Sequence, residues 1–132
     1  MSDRPDAHAS PILFVNDDAG FLTLMKLAFE RAGFDVITAL GGQEALDICH
    51  TQPVALVVLD IMMPGMDGFD TLKALYADPA MRLIPVIIAS PQTQPKVITE
   101  AYDLGAKDYI VLPCRIPELI KRVRQALSGA EV

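Results

Sequence analysis

Three carboxylates and one hydroxyl stand next to short apolar runs of this chain, in positions where they could bind a divalent cation. The residues are Asp17, Asp18, Asp60 and Ser90. Carboxylates held close together repel one another, and a hard cation such as Mg²⁺ offsets that repulsion. We predict that Asp17 and Asp60 serve such a site. Asp18 is expected instead to cap the helix that follows it, a common position for aspartate.

The apolar runs that precede these residues are of strand length. Five strands are predicted, at Ile12–Val15, Phe34–Ala39, Val54–Leu59, Ile84–Ala89 and Tyr109–Leu112. Runs that are apolar on both faces are typical of a parallel sheet covered by helices on each side. Ligands bind such sheets outside the carboxyl ends of the strands, so the polar residues named above are expected to converge on one edge.

Amphipathic segments between these strands predict five helices. They span Phe21–Ala32, Gly41–His50, Gly68–Ala77, Pro95–Leu104 and Pro117–Leu127. The alternation predicts an α/β fold of five βα units, joined by right-handed crossovers. We assign residues 11–128 to one domain, residues 1–10 to a disordered leader and residues 129–132 to a C-terminal tail.

Composition excludes several classes of function. The 132 residues carry a net charge of −6, which argues against a nucleic-acid surface. No run of about eighteen apolar residues predicts a membrane span, and the polar N-terminus is not a signal peptide. Cys49 and Cys114 are far apart and form no metal-binding motif, so reduced thiols in the cytoplasm are expected.

Three segments resemble the receiver domains of response regulators, which act in two-component signalling. Ile12–Asp18 is similar to the first strand and acidic pair of that family, and Val57–Gly68 to its phosphorylation segment. Gly105–Tyr109 is similar to the approach to its fifth strand. The resemblance covers residues 12–127. Within that family, the chain is similar to chemotaxis regulators. It implies a doubly wound, flavodoxin-like parallel sheet of five strands in the order 2-1-3-4-5, the strand order of that family.

The resemblance also implies a role for individual residues. Asp60 matches the carboxylate that accepts a phosphoryl group, and Ser90 matches the hydroxyl that contacts that group. Tyr109 matches the aromatic residue whose rotamer reports the switch. A Mg²⁺ ion is implied, with Asp17, Asp60 and the backbone carbonyl of Met62 as ligands.

Two positions depart from the family pattern. Asn16 replaces an acidic residue, so we expect it to bind the cation more weakly or through water. Leu112 stands where the family has a lysine, and neither Lys107 nor Arg115 is an obvious substitute. The loss of that cation is expected to raise the pKa of Asp60. A cis peptide at Leu112–Pro113 would match the family geometry.

These features favour a phosphorelay receiver that is not an independent enzyme. A histidine kinase or phosphotransfer protein would phosphorylate Asp60, and the change would switch a protein-interaction face for an output partner or a homodimer. That face is predicted to comprise Pro95–Leu104, Lys107–Leu112 and Pro117–Leu127. The alternative is a protein-binding module that works without phosphorylation, which Asn16 and Leu112 favour. The basic residues of the last helix are expected to be solvated.

Overall fold

A computed structural model describes residues 10–63 and 67–129 as a sheet with helices on both faces. The strands are β1 Ile12–Val15, β2 Val36–Ala39, β3 Leu56–Leu59, β4 Val86–Ser90 and β5 Asp108–Val111. The helices are α1 Ala19–Arg31, α2 Gly42–Thr51, α3 Gly68–Ala77, α4 Pro95–Asp103 and α5 Ile116–Ser128. Residues 1–9 of the expected leader (1–10), the loop residues 64–66 and residues 130–132 of the expected tail (129–132) lie outside the described residues.

The five strands are parallel and lie in the order β2-β1-β3-β4-β5, which confirms the expected topology. Their register aligns the carboxyl ends of neighbouring strands. Val15 pairs with Ala39 on one side and with Leu59 on the other. Ser90 pairs with Val111 at the end of the β4–β5 ladder. The residues that follow these strands therefore lie at the same edge of the sheet.

Alternate side chains of each strand enter two apolar layers on opposite faces of the sheet. The first layer, which we call the α1–α5 layer, packs Ile12 and Phe14 against helices α1 and α5. Phe14 meets Phe29 edge to face, with ring centroids 4.9 Å apart. The second, the α2–α4 layer, packs Leu13 and Val15 against helices α2, α3 and α4. Complete burial of so many large apolar side chains is the main force that holds the sheet and helices together.

Several element boundaries differ from the sequence-based prediction by one or two residues. The strands predicted to begin at Phe34, Val54 and Ile84 begin two residues later. For Phe34 the reason is visible, because its N–H donates to the carbonyl of Phe29 and thereby closes the end of α1. β5 begins one residue early, at Asp108, and ends at Val111.

Helix α1 begins where its capping residue lies. The Asp18 carboxylate accepts hydrogen bonds from the N–H groups of Gly20, at 2.9 Å, and Phe21, at 3.2 Å. These contacts satisfy two of the free N–H groups that begin every helix. The expected capping role of Asp18 is confirmed. Across the described residues, no helix is long and apolar enough to cross a membrane.

Candidate functional site

The carboxyl ends of β1, β3 and β4 bring the predicted polar residues to one edge of the sheet. Asn16 and Asp17 follow β1, Asp60 follows β3, and Ser90 closes β4. The backbone N–H of Asp60 donates to the carbonyl of Val15 at 3.0 Å, which fixes the start of the β3–α3 loop against β1. The Asp60 side chain is only 7% exposed, whereas Asp17 is exposed to solvent.

Asp60 is a carboxylate held in an unfavourable environment. Burial raises its pKa above the ordinary range, and the neighbouring negative charge of Asp17 raises it further. Hydrogen bonds from the backbone N–H groups of Met62 and Ile61 act in the opposite direction. The Met62 bond to Oδ1 is 3.0 Å long. Burial is therefore the main cause of the raised pKa of Asp60, and the further rise expected from the absence of a lysine at Leu112 stays a prediction.

The backbone beside Asp60 is in close contact with Gly68, the first residue of α3. A Cβ atom on Gly68 would lie 2.4 Å from the Asp60 carbonyl oxygen and 2.3 Å from the Ile61 Cα atom. Only glycine can occupy this position without displacing the backbone that carries Asp60. Sequence reasoning did not assign Gly68 to the site. The Asp67–Gly68 pair at a helix start was the available signal, and Asp67 is indeed the N-cap of α3.

Ser90 and Tyr109 hold the same loop residue. The Ser90 Oγ atom accepts a hydrogen bond from the Gln92 N–H at 3.2 Å. The Tyr109 hydroxyl donates to the Gln92 carbonyl at 2.9 Å, and its ring is 7% exposed. Burial raises the pKa of Tyr109, the negative charge of Asp60 raises it further, and a hydrogen bond with Ser90 lowers it. Gln92 therefore connects the two predicted switch residues, through backbone atoms that sequence reasoning did not identify.

The oxygen atoms at this edge are of the kind that Mg²⁺ prefers. Asp17 and Asp60 supply two carboxylates, which is the usual protein contribution to a magnesium site. The Asn16 Oδ1 atom accepts the Asp18 N–H at 2.9 Å, so one of its lone pairs is already used. Across the described residues, no group of three or more acidic, histidine or cysteine side chains forms a metal cluster. The donor set fits a weakly held, largely hydrated magnesium ion.

Leu112 directs its side chain away from this polar group. It packs against the α1–α5 layer, while its N–H donates to the Ser90 carbonyl at 2.9 Å. The Leu112–Pro113 peptide is cis, as expected. Within the described residues, no ion pair involves Asp17 or Asp60. Lys107 precedes the opposite end of β5, so it does not replace the missing cation.

The expectation that the basic residues of α5 are solvated is wrong for Arg122, which is partly buried and paired, whereas Arg124 is exposed as expected. Arg122 donates to both carboxylate oxygens of Asp108 at 2.6 Å, and to Glu118 at 3.2 Å. These anions hold the pKa of Arg122 above its usual range. Arg124 lies over the Phe34 ring, 5.1 Å from its centroid, and donates to the Ala32 carbonyl. Helix periodicity indicated an outward position but could not indicate these partners.

Comparison with known proteins agrees with this geometry. A family model described as the response regulator receiver domain matches residues 12–124. PhoP of Bacillus subtilis, an alkaline phosphatase synthesis transcriptional regulatory protein, is 37% identical over 121 residues, covering 92% of this chain and 50% of PhoP. The signal receiver domain of a histidine kinase from Syntrophus aciditrophicus superimposes with a TM-score of 0.85 at 30% identity, covering 93% of each chain. The chemotaxis protein CheY4 of Vibrio cholerae gives a TM-score of 0.83 at 26% identity, covering 88% of this chain and 97% of CheY4.

The chain therefore belongs to the response regulator receiver domain family, a class of two-component signalling module. It spans about half the length of the curated relatives it matches.

Proposed function

We propose that this receiver domain accepts a phosphoryl group on Asp60 from a histidine kinase or phosphotransfer protein. The observation that carries the proposal is the position of Asp60. It is the one buried carboxylate among the described residues, and it follows a central strand at the carboxyl edge of the sheet. An ionised carboxylate is a competent nucleophile toward phosphorus.

The reaction forms an acyl phosphate. A carboxylate oxygen of Asp60 attacks the phosphorus atom, and the bond from phosphorus to the donor atom breaks. The donor atom leaves with the bonding electron pair. The Met62 N–H holds Oδ1 of Asp60 at 3.0 Å, which fixes the orientation of the carboxylate during attack.

Mg²⁺ is the expected cofactor, with Asp17, Asp60 and the Met62 carbonyl as its protein ligands. Asn16 would contribute more weakly or through a water molecule, because its Oδ1 atom already accepts the Asp18 N–H. A bound magnesium ion would supply positive charge near the phosphoryl oxygens, as in other phosphoryl transfers. The protein's own residues position Asp60, whose Oδ1 atom is held by the Met62 N–H.

Phosphorylation would act on the rest of the domain through Ser90 and Tyr109. The Ser90 Oγ atom accepts the Gln92 N–H, and its own hydroxyl proton would turn to donate to a phosphoryl oxygen, because an ionised oxygen is a strong acceptor. The bonds that Ser90 and Tyr109 make with Gln92 would then exchange partners. This change would move the β4–α4 loop and alter the face formed by α4, β5 and α5.

That face is the proposed contact for a homodimer or an output partner in the cytoplasm. It comprises Pro95–Leu104, Lys107–Leu112 and Pro117–Leu127. Tyr102 and Val111 are exposed apolar side chains on it, and the bidentate Asp108–Arg122 pair lies beside them. Aromatic and arginine residues are enriched in protein interfaces, which supports the assignment.

Intact mass after incubation with acetyl phosphate and Mg²⁺ tests the proposal. We expect the parent protein to gain one phosphoryl group, and Asp60→Asn to gain none. Asp17→Asn should react more slowly, since it removes a magnesium ligand. An unchanged mass for a parent protein with native circular dichroism would overturn the proposal.

The second candidate is a protein-binding module that needs no phosphorylation. The specific observation in its favour is that no basic side chain of the described residues forms an ion pair with Asp60. In that case a partner captured by the parent protein would bind Asp60→Asn with equal affinity. The two candidates therefore differ in whether partner affinity depends on Asp60.

A further inference from the structure

A basic and apolar patch lies at the amino edge of the sheet, opposite the edge that carries Asp60. It comprises Tyr76, Arg82, Leu83 and Lys107, and we call it the amino-edge patch. Leu83 lies in the segment that leads into β4, and its side chain is 85% exposed. This is the largest exposed fraction of any large apolar side chain among the described residues. Tyr76, near the end of α3, is 54% exposed.

Two cavities flank Leu83. The smaller, of about 210 Å³, lies between Leu83 and Tyr76, and its lining is apolar apart from Arg82 and Lys107. The larger, of about 540 Å³, extends from Leu83 to the end of α5. Leu83 and Lys107 line both cavities and therefore stand between them. A partner that covers Leu83 can place one apolar side chain on each side of it, as amphipathic segments do when they fill a groove.

Gly105 fixes the shape of the smaller cavity. Its φ is +112°, and a Cβ atom there would lie 2.9 Å from the Tyr76 ring. Glycine therefore allows the ring to lie against the backbone between α4 and β5. Because Tyr76 is held in this way, one wall of the cavity is formed before any partner binds, which reduces the entropy lost on association.

The two cavities carry surplus positive charge on a chain whose net charge is −6. Their charged lining residues are Arg82, Lys107, Arg122 and Asp108. Arg122 and Asp108 pair with each other, whereas no ion pair within residues 10–63 and 67–129 involves Arg82 or Lys107. The uncompensated charge beside Leu83 is therefore positive, and carboxylates of a partner would complement it.

Two other kinds of occupant fit this patch less well. A symmetric dimer joins the same patch of two copies, so Arg82 and Lys107 of one copy would face the same cations of the other. The phosphates of a nucleic acid would neutralise these cations but would leave the apolar cavities unfilled. An acidic polypeptide with apolar side chains satisfies both the charge and the apolar lining.

We propose that the amino-edge patch binds an acidic polypeptide segment that carries two apolar side chains. These side chains lie on either side of Leu83, and carboxylates of the segment pair with Arg82 and Lys107. The patch and the carboxyl edge are separated by the length of a strand, roughly 13 Å for four residues. Binding here therefore leaves Asp60 accessible, and the inference does not depend on the phosphorylation of Asp60.

Amide NMR with a synthetic peptide tests the patch. The probe is a blocked ten-residue peptide of glutamate with leucine at its fourth and seventh positions. We expect it to shift the amides of Arg82, Leu83 and Lys107, and to leave the amide of Asp60 unchanged. A peptide with lysine in place of glutamate should bind at least about fivefold more weakly, because the exposed ion pairs are lost. A peptide with alanine in place of leucine should bind about tenfold more weakly, because the cavities stay unfilled.

Matched substitutions locate the binding site. Leu83→Ala should weaken binding of the glutamate peptide about tenfold. Leu40→Ala should leave it unchanged, because Leu40 is 54% exposed but follows β2 at the opposite edge of the sheet. Lys107→Gln should weaken binding about two- to fivefold. Lys96→Gln should not, because Lys96 lies in α4 and lines neither cavity.

Equal binding of the glutamate and lysine peptides, or equal effects of Leu83→Ala and Leu40→Ala, would overturn the inference. Tighter binding of a ten-nucleotide oligothymidylate than of the glutamate peptide would identify a nucleic-acid surface and would also overturn it. So would shifts of the Leu83 amide that depend on the concentration of the protein alone, because they would identify a second copy as the occupant. Asp60→Asn should bind the peptide as the parent does, which keeps this test separate from that of the proposed function.

Discussion

The Tyr109 hydroxyl donates a hydrogen bond to the carbonyl oxygen of Gln92 across 2.9 Å, and this bond joins β5 to the loop after β4. The Gln92 N–H donates in turn to Ser90, so one loop residue is held by both predicted switch residues. A change in the hydrogen-bond partner of Ser90 would therefore affect the conformation of this loop.

Removal of the Tyr109 hydroxyl should weaken the fold and release this loop. We expect Tyr109→Phe to lower the free energy of unfolding by about 1 kcal/mol, because the Gln92 carbonyl loses its partner. Urea denaturation measures the change, and faster amide exchange in residues 91–94 would locate it. Tyr102→Phe is the control, since the Tyr102 hydroxyl lies 3.4 Å from an Asp108 oxygen in an exposed contact. A larger loss in the control would refute the assigned role.

Replacement of Asp60 should stabilise the protein at neutral pH. The pKa of Asp60 is raised in the folded state, so the folded protein retains this proton at pH values where the unfolded chain has lost it. Stability is therefore lost as the pH rises from the ordinary value of 3.8 through the raised value. Asp60→Asn escapes this loss, and its advantage over the parent should shrink as the pH falls toward that ordinary value.

Thermal unfolding of the parent and Asp60→Asn at a series of pH values measures this difference. Asp35→Asn is the control, because it neutralises an exposed carboxylate elsewhere on the surface. It should change stability by less than about 0.5 kcal/mol. An Asp60→Asn advantage that is constant with pH would contradict the explanation.

A methyl group at Gly68 should disturb the backbone that carries Asp60. We expect Gly68→Ala to cost about 3 kcal/mol or more, since the added Cβ would overlap backbone atoms that cannot rotate away. Gly41 is the matched control. It is the N-cap of α2 and has extended backbone, and a Cβ there would meet nothing within 4 Å. Gly41→Ser should raise the free energy of unfolding by about 0.5 kcal/mol, because serine can cap the helix. Equal effects at the two glycines would be inconsistent with the close approach.

The bidentate pair of Arg122 and Asp108 should contribute more than its exposed neighbour. Lysine cannot form two parallel bonds to one carboxylate, so Arg122→Lys should cost about 1 kcal/mol. Glu118→Gln removes the negative charge from only the more exposed, 3.2 Å contact and should cost less than about 0.5 kcal/mol. Urea denaturation of both variants at low and high salt distinguishes them, and equal losses would count against the bidentate pair.

The alternation of strands and helices was predictable because fully apolar strands and amphipathic helices leave different periodic patterns. The convergence of Asp17, Asp60 and Ser90 followed from that fold, since parallel strands end at one edge. Gln92 was not predictable because it acts through its backbone, which every residue shares. Gly68 was missed because its constraint comes from packing against Ile61. The partner of Arg122 lies fourteen residues away on another element, beyond the reach of helical periodicity.

Tyr109 and Leu112 are three residues apart, yet they belong to layers on opposite faces of the sheet. The sheet therefore separates the side chain of Tyr109, the predicted switch aromatic, from the side chain of Leu112. Apolar substitutions in the α1–α5 layer beside Leu112 therefore need not repack the Tyr109 ring, so the packing of that layer can be varied without direct contact with the predicted switch residue.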